Sequence, residues 1–346
     1  MRIVYFAHSV LNRGGDKMVL AHLCHLAEAG HEVTIRSNVV ATKFPLHHAF
    51  RLEKPMFPGK LGTLASALFE RRRGDVAVAS IVPTAVMLGL RNPGRVFHFA
   101  QDDNETSCGF PGNLVMRWLY RFAFGALSIP CICVSRSLAE HFRARYGAEC
   151  TLVENGVDTT AFFPAPSAEL VQGKQGRRAI LLLSRSDRRK GFDVAQDVVE
   201  RLAKSLPGGV EVWMVGEPTA WQPHDVPCRH FGVVGEKQLR EIMSSADVFL
   251  SPSRSEGFPL MVLEAFACGC PVVTTDAVGF VRDEEDALVA PVGDVPALVA
   301  RLERLLADAR LAARLRGAGL RFAGEHSLAA SSGMFAQSLS KFFPGV

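Results

Sequence analysis

The sequence predicts an α/β protein built from two Rossmann-like, doubly wound domains, and three observations carry that prediction. The chain has 346 residues, too many for one ordinary α/β core and enough for two domains that each bury a core. Short apolar β-type runs alternate with segments of helical apolar spacing, which is the pattern of parallel sheets with crossover helices. The alternation breaks once, between Glu154 and Arg178, and then restarts as if from a new first strand. With 48% apolar and 21% charged residues and no low-complexity tract, the composition is that of a globular chain.

In the first half, Arg2 to Ala7 reads as a buried strand and Asp16 to Ala29 as an amphipathic helix; Gly30 closes the helix ahead of the strand Glu32 to Arg36. Further strands are expected at Val76 to Ile81, Val96 to Gln101 and Cys131 to Ser135, followed by a helix from Ser137 to Arg145. The turn Asn155-Gly156, the breakers Pro164 and Pro166, and the polar stretch Gln172 to Arg178 place an interdomain linker there. The second series runs through strand Ala179 to Ser184, a helix after Gly191, strand Val210 to Val215, a helix near Glu236 to Ser244, and strand Val248 to Ser251. From about Val295 the chain is mainly helical. The spacing of Leu328 to Phe343 allows a helix returning to the first domain or an ordinary terminal helix of the second. The expected divisions are 1–165, 166–325 and 326–346.

Charge and cysteine usage narrow the function classes. Through residue 165 there are 18 Lys+Arg against 13 Asp+Glu, net +5, and the rest of the chain is net −1. The run Arg71-Arg72-Arg73, with Arg91 and Arg95, could meet an anionic membrane surface or a phosphorylated acceptor, although such runs are more often solvated faces. No nucleic-acid partner is expected. The N-terminal stretch shows no signal-peptide pattern and no window is long and apolar enough to span a bilayer, so the expected location is the cytoplasm, with peripheral contact at the inner membrane face as an option. Most of the eight cysteines lie in apolar runs such as Cys131-Ile132-Cys133-Val134. Cys-x-Cys is not a zinc-knuckle spacing, so these read as reduced core cysteines. Arg outnumbers Lys 30 to 9, a usage that points to a GC-rich bacterial source.

Three constellations carry chemistry. The loop His8 to Gly15 joins a strand to a helix and brings Gly14-Gly15 to the helix start, where backbone amides can approach an anion closely. The spacing is not that of a dinucleotide site, and a tight turn would use the same glycines. Arg185 and Lys190-Gly191 follow the strand Ala179 to Ser184, whose carboxyl end points into the ligand crevice of an open sheet, so two cations there can meet one pyrophosphate. The third, Ser253 to Ala265, follows strand Val248 to Ser251 and enters a helix near Pro259. Backbone amides from Gly257 to Met261 would face a phosphate with the helix dipole behind them. Glu256 sits in the loop, and Glu264 lies within the apolar run Leu263 to Ala267, where a buried carboxylate needs a partner.

Glu256 to Glu264 resembles the E-x7-E motif of retaining GT-B glycosyltransferases of family GT4. Gly14-Gly15 resembles the family's first glycine loop, Asn155-Gly156-Val157-Asp158 its linker turn, Arg185 with Lys190-Gly191 its Arg/Lys pair, and Cys268 to Val273 the strand after its E-x7-E helix. The likeness covers nearly the whole chain and keeps the order of five motifs. It implies a GT-B fold, two Rossmann-like domains facing a central cleft, with a nucleotide-binding C-terminal domain and an acceptor-binding N-terminal one. It implies that Arg185, Lys190 and Glu256 form the catalytic set: the two cations neutralise the departing diphosphate and Glu256 touches the sugar hydroxyls. It implies that Glu264 binds the ribose and that Gly14, Gly15, Gly257, Phe258, Pro259 and Leu260 line the donor.

The sequence departs from the family at two places. Gln101-Asp102 stand where many members carry a His after the strand, a feature faintly similar to rhamnosyltransferase-like members, and they are candidates for acceptor or sugar contacts. The segment Thr275 to Asp294 is shorter than usual and lacks a Gly-Gly after Asp276. With no Asp-x-Asp at a strand end, no essential metal and no cofactor is expected. The function implied is transfer of a sugar from a nucleotide-diphosphate donor to a glycan, glycolipid or small-molecule acceptor, as in bacterial surface polysaccharide synthesis. The alternatives are a nucleotide-sugar epimerase or phosphorylase on the same fold, or a non-catalytic sugar-nucleotide-binding subunit.

Overall fold

The computed structural model describes residues 1–11, 13–42, 44, 46–70 and 75–343. The chain forms two compact units, Met1–Asn155 with Leu328–Val346, and Gly156–Ser327. The expected divisions after 165 and 325 therefore move to the Asn155-Gly156 turn and to Ser327. The reason is local bonding: Phe162 is buried, Ala165 N donates to Ser244 Oγ at 3.0 Å and Ser167 N to Ser245 Oγ at 2.9 Å, so the proline-bearing stretch is part of the second unit.

In the first unit the described strands are β1 (Arg2–Phe6), β2 (Glu32–Arg36), β3 (Arg51–Glu53), β4 (Asp75–Ala79), β5 (Val96–Ala100), β6 (Cys131–Cys133) and β7 (Cys150–Leu152). They form one parallel sheet in the order β3-β2-β1-β4-β5-β6-β7. The central strands read as unbroken apolar runs because helices cover both faces of a sheet built from crossovers; β5 is buried at every position. The helix Gly14–Glu28 begins two residues ahead of the expected Asp16, and Gly30 follows it at φ 86°.

The C-terminal helix Leu328–Phe342 belongs to this first unit. Phe335 stacks on His22 of the helix Gly14–Glu28 with ring centroids 4.6 Å apart and packs edge-on against Phe97 and Phe99 of β5. Ser332 Oγ lies 2.9 Å from His22 Nδ1, so the buried ring is hydrogen-bonded at that nitrogen, and burial pushes its pKa down to about 3.

A second buried polar centre holds the loop after β5. Asp103 caps the short helix Asn104–Ser107 and places Glu105 against two neighbouring helices. The Glu105 carboxylate accepts from Arg117 Nε at 2.9 Å, from Arg145 Nε at 3.0 Å and from the Tyr146 hydroxyl. Arg145 first, then Arg117 and Tyr146, hold this carboxyl far below the usual range despite its burial. A carboxyl depressed in the folded state contributes stability that is full above its unfolded pKa of about 4.3 and is lost as pH falls through the folded value. Glu105→Gln is therefore expected to lower the melting temperature at neutral pH, by an amount that shrinks on titration to about pH 3. An equal difference at both pH values would remove Glu105 from the stability of this unit.

In the second unit the strands are β8 (Arg178–Ser184), β9 (Val210–Gly216), β10 (Cys228–Gly232), β11 (Val248–Ser251), β12 (Val272–Thr275) and β13 (Leu288–Ala290). They too are parallel, in the order β10-β9-β8-β11-β12-β13. Ile180, Leu182, Val212 and Leu250 of the sheet pack with Val198 and Leu298 of the covering helices. The strands β3, β7, β10 and β13, which end the two sheet orders, were not expected from the sequence.

Candidate active site

The order β9-β8-β11-β12 sets the carboxyl ends of four parallel strands side by side, so the residues after Gly216, Ser184, Ser251 and Thr275 share one edge of the second sheet. After β8 the chain runs Arg185-Ser186-Asp187, makes a single tight turn Arg188–Lys190 and enters the helix Phe192–Ser205 through Gly191. Gly191 has φ 66°, and a Cβ built there would lie 1.9 Å from the carbonyl oxygen of Pro252. Only glycine allows both the left-handed backbone and this approach. The loop after β8 thus lies directly on the loop after β11.

Hydrogen bonds fasten the two loops. Arg254 N donates to Arg189 O at 2.7 Å, and the Arg254 guanidinium donates to Arg188 O and, through both Nη atoms, to Asp193 at 2.6 and 2.7 Å. This bidentate pair holds the Asp193 carboxyl below its usual range.

Across the same junction Lys190 Nζ donates to both oxygens of Glu256, at 2.9 and 2.7 Å, and Ser253 Oγ donates to Glu256 Oε1 at 2.7 Å. The Ser253 carbonyl in turn accepts from Thr275 Oγ1 at the end of β12. Three strand ends therefore fix one lysine-carboxylate pair, with the Glu256 side chain 7% and that of Lys190 27% exposed. On the β9 side Arg185 Nη1 lies 3.3 Å from Glu217 Oε1, and Ser186 N donates to Glu217 Oε2 at 2.8 Å. The Ser186 hydrogen bonds first, then Arg185, draw the Glu217 carboxyl down. Along this edge the two cations after β8 stand between a carboxylate after β9 and another after β11, an arrangement suited to binding an anion and polar hydroxyls next to each other.

The E-x7-E helix, Leu260–Ala267, follows immediately. It starts one residue after Pro259, which occupies the N-cap with no side-chain cap. Pro259 has no amide hydrogen, so the expected cradle from Gly257 to Leu260 has to do without that member. Phe258 is buried and stacks on Phe280 at 4.2 Å; its side chain belongs to the core and leaves only its backbone for a ligand. Glu264 is buried at 6% exposure and is not without a partner.

Residues 177–308 match the family model described as glycosyl transferases group 1. This segment is similar to the group 1 glycosyltransferases. A D-inositol 3-phosphate glycosyltransferase of Xylanimonas cellulosilytica is 31% identical over 245 residues, 62% of this chain and 58% of that protein. A phosphatidyl-myo-inositol mannosyltransferase of Mycolicibacterium smegmatis is 31% identical over 179 residues, 48% of this chain and 45% of that protein. The chain thus spans about half the length of these curated relatives. The crystal structure of Anabaena HepE in complex with UDP and glucose aligns over 99% of this chain and 100% of that one, with a TM-score of 0.79 at 14% identity. Two Rossmann-like parallel sheets and this likeness give the fold as GT-B.

The candidates of the first unit lie outside the matched segment 177–308, and the structure brings three of them together. Gly14 opens the helix Gly14–Glu28 with Arg13 at the N-cap. Gln101 Nε2 donates to Gly15 O at 2.8 Å, and a Cβ on Gly15 would lie 2.1 Å from Gln101 Oε1. Gly15 is thus the seat of the Gln101 amide, which β5 delivers to the loop after β1. Asp102 turns instead to its own chain and accepts from Asp103 N at 2.9 Å. Asp16 Oδ2 accepts from Leu11 N at 3.0 Å and closes the glycine loop. Burial, then Lys60 and Arg13, lower the pKa of His8 in this loop, which marks a basic setting that sequence reading did not single out. Glu217 and Asp193 were also missed, since nothing but the fold brings them to this edge; Ser253 and Arg254 lay within the third constellation but were given no role. His98 is a core residue of β5, stacked on Phe142. Arg71, Arg72 and Arg73 lie outside the described residues; Arg91 donates Nε to Leu68 O at 2.8 Å.

Proposed function

We propose that the protein is a retaining, metal-independent glycosyltransferase of the GT4, E-x7-E type, moving a sugar from a nucleoside-diphosphate donor to a lipid-linked or glycan acceptor. The observation that carries this reading is the Lys190–Glu256–Ser253 constellation at adjoining strand ends within the segment similar to group 1 glycosyltransferases. When the bond between sugar and diphosphate breaks, negative charge gathers on the leaving oxygens. Lys190 and Arg185 are the cations in place to receive it, together with the amides at the start of the helix Leu260–Ala267. Lys190 uses its bonds to Glu256 for orientation, and its partly exposed ammonium keeps a third donor for a phosphate oxygen. Two fixed cations fill the role that a divalent ion plays in other phosphate sites.

Glu256, oriented by Lys190 and Ser253, accepts from sugar hydroxyls. Glu264, at the other end of the motif, accepts from the ribose diol. In this reading no protein nucleophile is needed, and catalysis rests on positioning and electrostatic stabilisation. The first unit holds the acceptor, with the basic loop around His8, Arg13 and Lys60 suited to a phosphorylated polyol. The names of the two relatives, which act on inositol phosphate and on phosphatidylinositol, support an acceptor of that class.

A lipid-linked acceptor calls for peripheral contact with a membrane, and the helix Gly112–Arg121 supplies a surface for it. Its inward side is tied by Arg117 to buried Glu105, while Phe110, Val115 and Trp118 are 81%, 53% and 70% exposed. These exposed aromatic and aliphatic side chains, with Arg121 in the last turn of the helix, suit an anionic bilayer interface. Among the described residues no helix is long and apolar enough to cross a membrane.

The test is incubation with nucleotide sugars and phosphatidylinositol-containing vesicles, with product configuration read by NMR. Transfer with the donor's anomeric configuration, undiminished by a chelator, is expected, and Trp118→Ala is expected to reduce vesicle co-sedimentation. An inverted product or a metal requirement would overturn the mechanism, and unaltered co-sedimentation would remove the helix from the membrane.

A further inference from the structure

The first sheet buries a group of thiols that the proposed reaction does not use. Cys131 and Cys133 stand two residues apart on β6 and so point to the same face. Cys150 of β7 is the register partner of Cys131 and shares that face. The sequence shows only the Cys-x-Cys pair, which reads as core packing; the parallel register adds the third thiol. The Sγ atoms of all three lie within 4.8 Å of one another, and those of Cys131 and Cys133 are 3.6 Å apart. Three thiolates around one ion at a bond length of about 2.3 Å stand about 3.8–4.0 Å from each other. The sulfurs therefore already occupy the spacing of a metal site to within about an ångström, with all three residues buried.

Two further features belong to the same face. His98 of β5 is the register partner of Cys131 on its other side. Its Nδ1 lies 3.1 Å from Ala79 O while its buried Nε2 has no hydrogen-bond partner. A backbone carbonyl on one ring nitrogen and an open second nitrogen is the usual posture of a ligating imidazole. Nε2 is not within the 4.8 Å set, so the three thiols define the site and His98 must move inward to occupy a fourth position. Arg143 Nη2 donates to Cys150 O at 2.6 Å and brings a positive charge to the edge of the cluster.

We propose that Cys131, Cys133 and Cys150 bind one soft divalent ion of the zinc class as three thiolates, at a structural site separate from sugar transfer. Three thiols lose three protons as three sulfur–metal bonds form, and no electron is transferred. The complex carries one net negative charge, which the Arg143 guanidinium offsets. Soft thiolates select such an ion over magnesium or calcium. Because the sulfurs are buried, the ion enters as the unit folds rather than by diffusion into the folded chain.

The full-length chain is unfolded with reductant and chelator, freed of chelator and refolded with or without Co²⁺. Binding of about one ion per chain is expected, with an intense sulfur-to-cobalt charge-transfer band that Zn²⁺ abolishes and a higher melting temperature with metal. Cys133→Ala and Cys150→Ala should each remove most of the band, and Cys268→Ala, which deletes a buried thiol elsewhere, should leave it intact. If a cluster variant fails to fold, metal content of the natively purified wild-type chain decides: about one zinc per chain supports the site. A wild-type chain without zinc and without the band after refolding with Co²⁺ overturns it, as does a disulfide joining two of the three cysteines.

Discussion

Replacing Lys190 with methionine is expected to lower kcat by about 10²- to 10³-fold, the range found when one preorganised donor to developing charge is removed. The substitution keeps most of the side-chain length and takes away the charge that faces the leaving diphosphate. It also leaves the Glu256 carboxylate with Ser253 alone of the two donors that hold it, so some loss of stability accompanies the kinetic effect. The double variant Lys190→Met, Glu256→Gln separates the two. Removing the orphaned charge should return the melting temperature towards wild type, while turnover stays low. If the double variant recovers both, Lys190 serves only to neutralise Glu256, and its role in the transition state is lost.

The second large effect concerns Gly191. An alanine there must hold φ at 66° and place its Cβ 1.9 Å from Pro252 O, so the loops after β8 and β11 have to separate. The backbone conformation alone costs about 1–2 kcal/mol. The clash with a backbone carbonyl adds more, and a total of about 3 kcal/mol or greater is expected in urea unfolding. Gly147 provides the comparison, because it has the same φ of 66° with nothing within 4 Å of a built Cβ. Gly147→Ala should cost only the backbone part. Equal losses at the two sites would mean that the loops do not rest on each other at Gly191. Activity should fall in Gly191→Ala even below its melting temperature, since Lys190 and Glu256 lie on the separated loops.

The sequence-based reading was sharpest where physical signals are local. Strands β8 and β11 are apolar runs bounded by turns, and their observed ends fall within a residue of expectation. Arg185 and Lys190 lie after β8, Glu256 in the loop after β11 and Glu264 in the helix that follows, the places expected from the sequence; the roles given to them are those proposed above. What sequence could not show is set by pairing between distant segments. Gln101 meets Gly15 because β1 and β5 flank β4, and Glu217 meets Arg185 because β9 lies beside β8. Neither neighbour has a period or a motif of its own. Pro259 illustrates a boundary effect: a proline is tolerated both at the N-cap and in the first turn, so composition left its place open by one residue. The linker was misplaced for a related reason, since Pro164 and Pro166 look like a boundary but are held to the second unit by Ser244 and Ser245.

The central claim is that the second unit binds a nucleoside-diphosphate sugar through the residues Arg185, Lys190, Glu256 and Glu264. Its most direct test is a thermal-shift panel of UDP, GDP, dTDP and ADP with their common sugar conjugates, run in chelator on wild type and on Glu264→Gln. A ligand that binds only the folded state raises its melting temperature by mass action. One nucleotide series should stabilise the wild-type chain without metal and lose most of that shift in Glu264→Gln. A wild-type chain that no nucleotide stabilises, or one whose shift survives the substitution unchanged, would contradict the account.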